Sequence, residues 1–211
     1  MSVGKARKSP ARAAHLGPER RRPQILDAAL ALAAERGIQA VNMEAVAQAV
    51  GVTKPAVYAC FGSREELLNA LLEREEQRLF DAVLSALPRT LALANPERFM
   101  AEGFRALFTV VEQHSDSWKL VLASEGDPAV AERHGAARKL VAKRVALLAE
   151  GWLRLRGASD IKRRLPVLVD LFMSICEGMV RSQIVNGSRG WSSEELGAYV
   201  GRMALAAFNK G

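Results

Sequence analysis

The stretch from Asn42 to Leu68, NMEAVAQAVGVTKPAVYACFGSREELL, decides how the rest of the chain is read. Met43, Val46, Ala47 and Val50 fall at i, i+3, i+4 and i+7, which lays an apolar stripe along one side of an α-helix. Asn42 stands just before them as an N-cap, and Gly51 follows Val50 where a left-handed residue can close the helix. Thr53 is placed to cap a second helix only three residues after Val50. The connection is too short to be anything but a corner, so the pair reads as a helix-turn-helix. In that geometry the first helix braces the second, whose N-terminal residues Lys54, Pro55, Ala56 and Tyr58 face a DNA major groove.

The flanking sequence extends the same pattern. Before the corner, a helix is predicted from Pro23, a favourable first-turn residue, to Arg36, with Ile25, Ala29 and Leu32 or Ala33 on its buried side and Gly37 as its stop. After the corner, Ser63 and Glu66 form a capping box that launches a helix carrying Leu67, Leu68, Leu71, Leu72 and Leu79. Asn95-Pro96 opens a helix through Phe104, Phe108 and Val111, and a short segment around Trp118 to Leu122 is broken by Glu125-Gly-Asp-Pro128. A long helical run from Ala129 to Leu155 is expected to soften near Gly135. Leu168 to Val185 is nearly continuous apolar, with Gly178 permitting a close helix approach. Ser192 and Glu195 make a second capping box, with Trp191 positioned to staple onto Leu196. No alternating strand pattern and no fixed-period repeat appears, so the predicted class is all-α.

Charge is distributed unevenly. The net charge is +7, yet residues 1–22 hold seven basic residues against Glu19 alone, which leaves +1 for the other 189. A Ser, Pro, Ala and Arg mixture without periodicity cannot bury enough apolar surface to order itself, so a basic disordered tail is expected over 1–18. Such a tail either lies along DNA phosphates or only solubilises the chain. No uncharged apolar run of membrane-spanning length occurs, and the N-terminus lacks a secretory h-region, so the expected location is cytoplasmic, with no membrane partner. Cys60 and Cys176 fit no metal-ligand spacing and read as free thiols. His15, His114 and His134 have no partners at metal-ligand spacing, and no nucleophile motif or phosphate loop is present. The expectation is therefore no catalytic residues, no metal and no cofactor.

Ile25-Leu26-x-Ala28-Ala29, Gly37, Val46-Ala47, Gly51-Val52-Thr53, Val57-Tyr58, Phe61, Ser63-Arg64-Glu65 and Leu67-Leu68 together resemble the N-terminal domain of the TetR family of transcriptional regulators over about residues 19–79. That resemblance implies a homodimer on a palindromic operator, released when a small effector enters a helical C-terminal domain spanning 80–211, which also dimerises. It implies that Tyr58 contacts phosphate and that Arg64, where the family commonly has lysine, keeps a phosphate-binding charge. Cys60 stands where the family often has histidine, which removes one possible backbone contact.

The candidate DNA-binding residues are Asn42, Val52, Thr53, Lys54, Pro55, Ala56, Tyr58 and Arg64. Thr53 is expected to cap the recognition helix with its hydroxyl, and Lys54 to reach guanine or phosphate. Tyr58 is either a core ring or a ligand contact by spacing alone. Phe104, Phe108, Trp118, Trp152, Phe172, Met173 and Cys176 are the candidate effector-binding residues, a set suited to a largely apolar molecule or simply to packing. Arg181 and Glu177, one turn apart, are placed to pair with each other. The excess of apolar residues from Leu168 through Leu171, Phe172, Ile175, Met179 and Val180 points to a self-association surface. The function that follows is a ligand-responsive transcriptional repressor, with a constitutive or architectural DNA-binding protein as the alternative.

Overall fold

A computed structural model describes residues 17–87 and 95–210, so the basic tail and His15 lie outside the described residues. The described residues are helical with no strand, and they fall into two units that divide between Leu71 and Leu72.

The first unit begins with α1 (Pro18–Arg36), followed by a single 3₁₀ turn (Ile38–Ala40), α2 (Met43–Val50), α3 (Lys54–Tyr58) and the first turns of α4 (Arg64–Ala86). α1 starts five residues earlier than the sequence pattern suggests. Pro18 takes the first-turn place, while Pro23 sits in the second turn, where its missing N–H costs one hydrogen bond near a helix end that the backbone amides of Arg20 and Arg21 already tie to the Gly17 carbonyl. Arg20 to Arg22 therefore belong to a helix and not to the tail. Ile25, Ala29, Val41, Val46, Val57, Phe61, Leu67 and Leu71 are buried and form this unit's core.

The second unit contains the rest of α4 with α5 (Pro96–Gln113), α6 (Ser115–Ala123), α7 (Pro128–Leu155), α8 (Ile161–Asn186) and α9 (Ser193–Lys210). Asn95 caps α5 by accepting from the Arg98 amide at 2.9 Å, and Asp127 caps α7 by accepting from the Ala129 amide at 2.8 Å. α7 runs through Gly135 without interruption, because one glycine costs only about 1 kcal/mol, too little to break a helix of 28 residues. α8 begins at Ile161 instead of near Leu168, and Pro166 falls at its sixth residue, the same position that Pro23 holds in α1. Its start follows Asp160, whose φ of 55° turns the chain into the helix.

Close helix packing occurs at Gly197 and Gly201, not at Gly178. A Cβ on Gly197 would stand 2.6 Å from the Arg105 amide nitrogen, and one on Gly201 2.7 Å from that of Ala101, so α9 lies backbone to backbone on α5. Nothing lies within 4 Å of the equivalent position on Gly178. Phe104 and Phe108 of α5 pack with Leu196, Val200 and Ala204 of α9, while Val145 of α7 packs with Val169 and Met173 of α8. The Ser192–Glu195 capping box is present, with the Ser192 amide donating to Glu195 at 2.9 Å and the Glu195 amide to Ser192 at 3.2 Å. The Trp191 ring lies 5.2 Å from the Tyr199 ring, and Leu196 instead joins the α5–α9 core.

Candidate functional site

The α2–α3 corner is assembled from local hydrogen bonds. The Asn42 side-chain oxygen accepts from the Glu44 and Ala45 amides at 3.1 and 2.9 Å, which occupies it fully as a helix cap. Gly51 adopts φ 74°, ψ 35°, a left-handed conformation that a side chain would strain, and the Val52 amide then reaches back to the Ala47 carbonyl at 2.9 Å. Thr53 holds the N-cap position of α3, but its hydroxyl makes no capping hydrogen bond; its carbonyl accepts from the Ala56 amide at 2.9 Å. The extended Thr53 backbone is enough to start this single turn without the side chain's help.

Val57 anchors α3 in the core with no exposed surface, so the residues around it point outward. Thr53, Lys54, Pro55 and Tyr58 are exposed, and Val52 and Ala56 are half-buried. Tyr58 is 45% exposed, which settles its position between core and surface in favour of the surface. Lys54 Nζ lies 3.8 Å from Glu44 Oε2, an open pair that solvent screens and that a stronger anion could displace.

Arg64 is placed differently from this group. Its Nε donates to the Val41 carbonyl at 2.6 Å and its guanidinium NH2 to the Ile38 carbonyl at 3.0 Å, so it ties the start of α4 to the segment that leads into α2. Such bonds from a charged donor contribute about 1.5–3 kcal/mol each. Arg22 acts similarly, stacking 4.1 Å above the Phe61 ring and donating to the Cys60 carbonyl at 2.5 Å. Neither role is visible in the spacing of the sequence, because both partners are backbone carbonyls and a ring brought close only by folding. Cys60 itself is buried.

The second unit contains a partly open cavity of about 550 Å³. Six of the seven candidate effector residues line it: Phe104, Trp118, Trp152, Phe172, Met173 and Cys176. Phe108 does not; it is fully buried, one turn beyond Phe104, in the core facing α9. The Cys176 thiol is pushed up to about 12, mainly by burial and secondarily by the Glu177 charge, so it stays a protonated apolar wall group.

Charged pairs on the cavity wall were hidden from the sequence pattern. Arg181 makes two contacts of 2.6 and 2.7 Å with Glu125, and Arg138 Nε donates to Glu177 at 2.7 Å, so the one-turn pairing of Arg181 with Glu177 does not form. Arg133 is paired with Glu76. Beside Glu76, Glu75 is completely buried and accepts from Arg74 Nε at 2.7 Å, Arg78 at 3.2 Å and the Ser117 hydroxyl at 2.6 Å. That last bond fastens α4 to α6. Among the described residues, no helix is long and apolar enough to cross a membrane.

Of the residues expected at a self-association surface, Leu168 and Phe172 line the cavity and Val180 is buried, because α8 turns that face inward. Leu171 is exposed, joined by Val167 and Val185 on α8 and by Tyr199 and Met203 on α9.

Comparison with known proteins places these features in a common frame. Residues 25–71 match the family described as bacterial regulatory proteins, tetR family. The chain is 34% identical over 107 residues to the HTH-type transcriptional activator FasR of Mycolicibacterium smegmatis, covering 51% of this chain and 48% of that protein. It is 32% identical over 94 residues to the HTH-type transcriptional repressor KstR2 of Mycobacterium tuberculosis, covering 44% and 46%. The matches thus span about half the length of these curated relatives. A TetR-like transcriptional regulator from Rhodococcus sp. RHA1 shares the fold, with a TM-score of 0.64 at 22% identity over 88% of this chain and 96% of that one.

Proposed function

We propose that this chain, which belongs to the TetR family of bacterial regulatory proteins, is a cytoplasmic, ligand-responsive transcriptional repressor that binds a palindromic operator as a homodimer. The family and the matched relatives are transcriptional regulators, not enzymes. The observation that carries the reading is the α2–α3 corner, where Val57 is locked into the core and Thr53, Lys54, Pro55 and Tyr58 stand out from it. Lys54 reads bases or phosphate once DNA replaces its open pair with Glu44, and Tyr58 and Thr53 offer hydroxyls to phosphate. Arg64 supports this face by holding the segment before α2.

The cavity supports the effector half of the reading, since it is lined mostly by apolar side chains of one unit and sized for a small molecule. Its effector acts only as far as it prefers the DNA-free form over the bound form. The exposed apolar side chains Val167, Leu171, Tyr199 and Met203 support self-association through α8 and α9. In a two-fold dimer the recognition helices read half-sites about 34–36 Å apart.

A gel shift on the DNA flanking the chain's own gene tests the proposal. The expected result is a complex that weakens steeply with salt, with Tyr58→Phe lowering affinity for many sequences alike and Lys54→Ala relaxing base preference. No complex at low salt, or full affinity in both variants, removes the assignment of α3 as the recognition helix.

A further inference from the structure

Two residues that line the cavity each carry a buried polar atom with no hydrogen-bond partner among the described residues: Trp118 Nε1 and Glu76 Oε1. Buried polar groups in native folds are nearly always paired, so an orphan on a binding cavity marks a contact still to be made. The two are chemically complementary to a single group. An indole N–H only donates, an ionised carboxylate only accepts, and a hydroxyl does both. They stand on two helices, α4 and α6, that are bonded to each other next to both residues. The Glu75 and Ser117 side chains, one residue before each of them, are bonded at 2.6 Å, which keeps this point of α4 against this point of α6. Glu76 keeps its other oxygen on Arg133, so the orphan oxygen is not shared with that ion pair.

The charges on the wall decide the rest of the ligand's chemistry. Each of the three guanidiniums that line the cavity is matched by a carboxylate that also lines it: Arg133 with Glu76, Arg138 with Glu177, and Arg181 with Glu125. A carboxylate or phosphate entering beside Trp118 would have to break the pair of Arg133 with the mostly buried Glu76 and leave that glutamate facing it, with no unmatched guanidinium on the wall to repay the desolvation. A neutral group meets no such cost. Most of the remaining wall, including Phe80, Phe99, Leu107 and Trp152, is apolar, with His134 and Ser174 as its other polar side chains.

We infer that the cavity selects a neutral, largely apolar molecule carrying a hydroxyl, which accepts from Trp118 Nε1 and donates to Glu76 Oε1. This rests on the cavity being an effector site. The test is isothermal titration calorimetry of the full chain with three probes of equal tail length: 1-dodecanol, 1-chlorododecane and dodecanoate. Dodecanol binds about tenfold tighter than chlorododecane, the difference expected for a hydrogen-bonded pair in a dry site, and tighter than dodecanoate by a similar factor. Trp118→Phe lowers dodecanol affinity to near that of chlorododecane while leaving chlorododecane within about threefold, a split that a merely structural role would not give. Glu76→Gln, which leaves Arg133 uncompensated, raises dodecanoate affinity above that of dodecanol. Equal binding of dodecanol and chlorododecane overturns the anchor and leaves the effector cavity standing. Tighter binding of dodecanoate than of dodecanol to the unsubstituted chain overturns the charge argument and with it the ligand class. Failure of all three probes to bind overturns both the anchor and the effector reading beneath it.

Discussion

The α2–α3 corner and the cavity wall are both functional surfaces of helices, but they are held in place by different kinds of interaction. In the corner the capping and turn bonds are short in sequence, Asn42 to Ala45, Val52 to Ala47 and Ala56 to Thr53, with Arg64 and Arg22 adding longer ties from α4 and α1. On the cavity wall the positioning bonds span 39 to 57 residues, from Arg138 to Glu177, from Arg181 to Glu125 and from Arg133 to Glu76. A corner made of caps and turns over a buried stripe of Val46, Ala47 and Val57 keeps its shape as a rigid reader. A wall made of long-range ion pairs and one buried carboxylate depends on how α4, α6, α7 and α8 sit together, which is what a ligand inside it can alter. α4 connects the two, beginning at Arg64 in the first unit and carrying Glu76 on the cavity.

The largest expected effect tests whether the second unit relies on close packing in this way. Gly201→Val puts a side chain where even a Cβ would lie 2.7 Å from the Ala101 backbone nitrogen, so α5 and α9 must part. Overpacking of this kind costs about 1–3 kcal/mol when side chains can yield, and backbone atoms yield less. Thermal unfolding followed by circular dichroism should therefore show a loss at or above the upper end of that range, and a melting temperature equal to that of the unsubstituted chain would mean that the α5–α9 contact is not tight. A smaller effect probes the buried bridge. Ser117→Ala leaves one Glu75 oxygen unpaired in a fully buried site while Arg74 and Arg78 still hold the other, an expected cost of about 1–3 kcal/mol. Urea unfolding measures it, and an unchanged midpoint would show that the Glu75–Ser117 bond contributes nothing to joining α4 and α6.

These contrasts also explain what the sequence makes legible. α2, α5 and α9 are readable because Asn42, Asn95 and the Ser192–Glu195 pair are chemical start signals that act within one turn. The start of α1 is misread because Pro23 looks like a first-turn residue, and that of α8 because its apolar run begins only at Leu168; Pro23 and Pro166 are each the sixth residue of their helix, where one lost hydrogen bond is tolerated. Six of the seven candidate effector residues line the cavity, but nothing in the spacing separates Phe104, on the wall, from Phe108, one turn away in the core. Glu75 and Glu76 lie in the run Glu-Arg-Glu-Glu, which by pattern alone is a solvated helix face; their burial arises from α6 and α7 arriving on top of them. Arg64 is the same lesson in the first unit, a residue whose charge suggests DNA but whose donors are drawn to the Val41 and Ile38 carbonyls.

The smallest expected effect bears on the corner itself. Asn42→Ala removes the acceptor for the Glu44 and Ala45 amides, and loss of such a cap costs about 1 kcal/mol of stability. If Asn42 serves only as a cap, DNA affinity measured well below the melting temperature should fall little, because Val46, Ala47 and Val57 still hold α2 and α3 in the core. A loss of DNA affinity much larger than the loss of stability would instead mean that the Asn42 side chain exchanges its capping role for a contact with phosphate in the complex. Comparison of the variant's urea midpoint with its gel-shift affinity separates the two. The cap reading requires a modest fall in the first with the second nearly unchanged, and that outcome would also confirm that the corner's rigidity comes from its buried stripe more than from any single hydrogen bond.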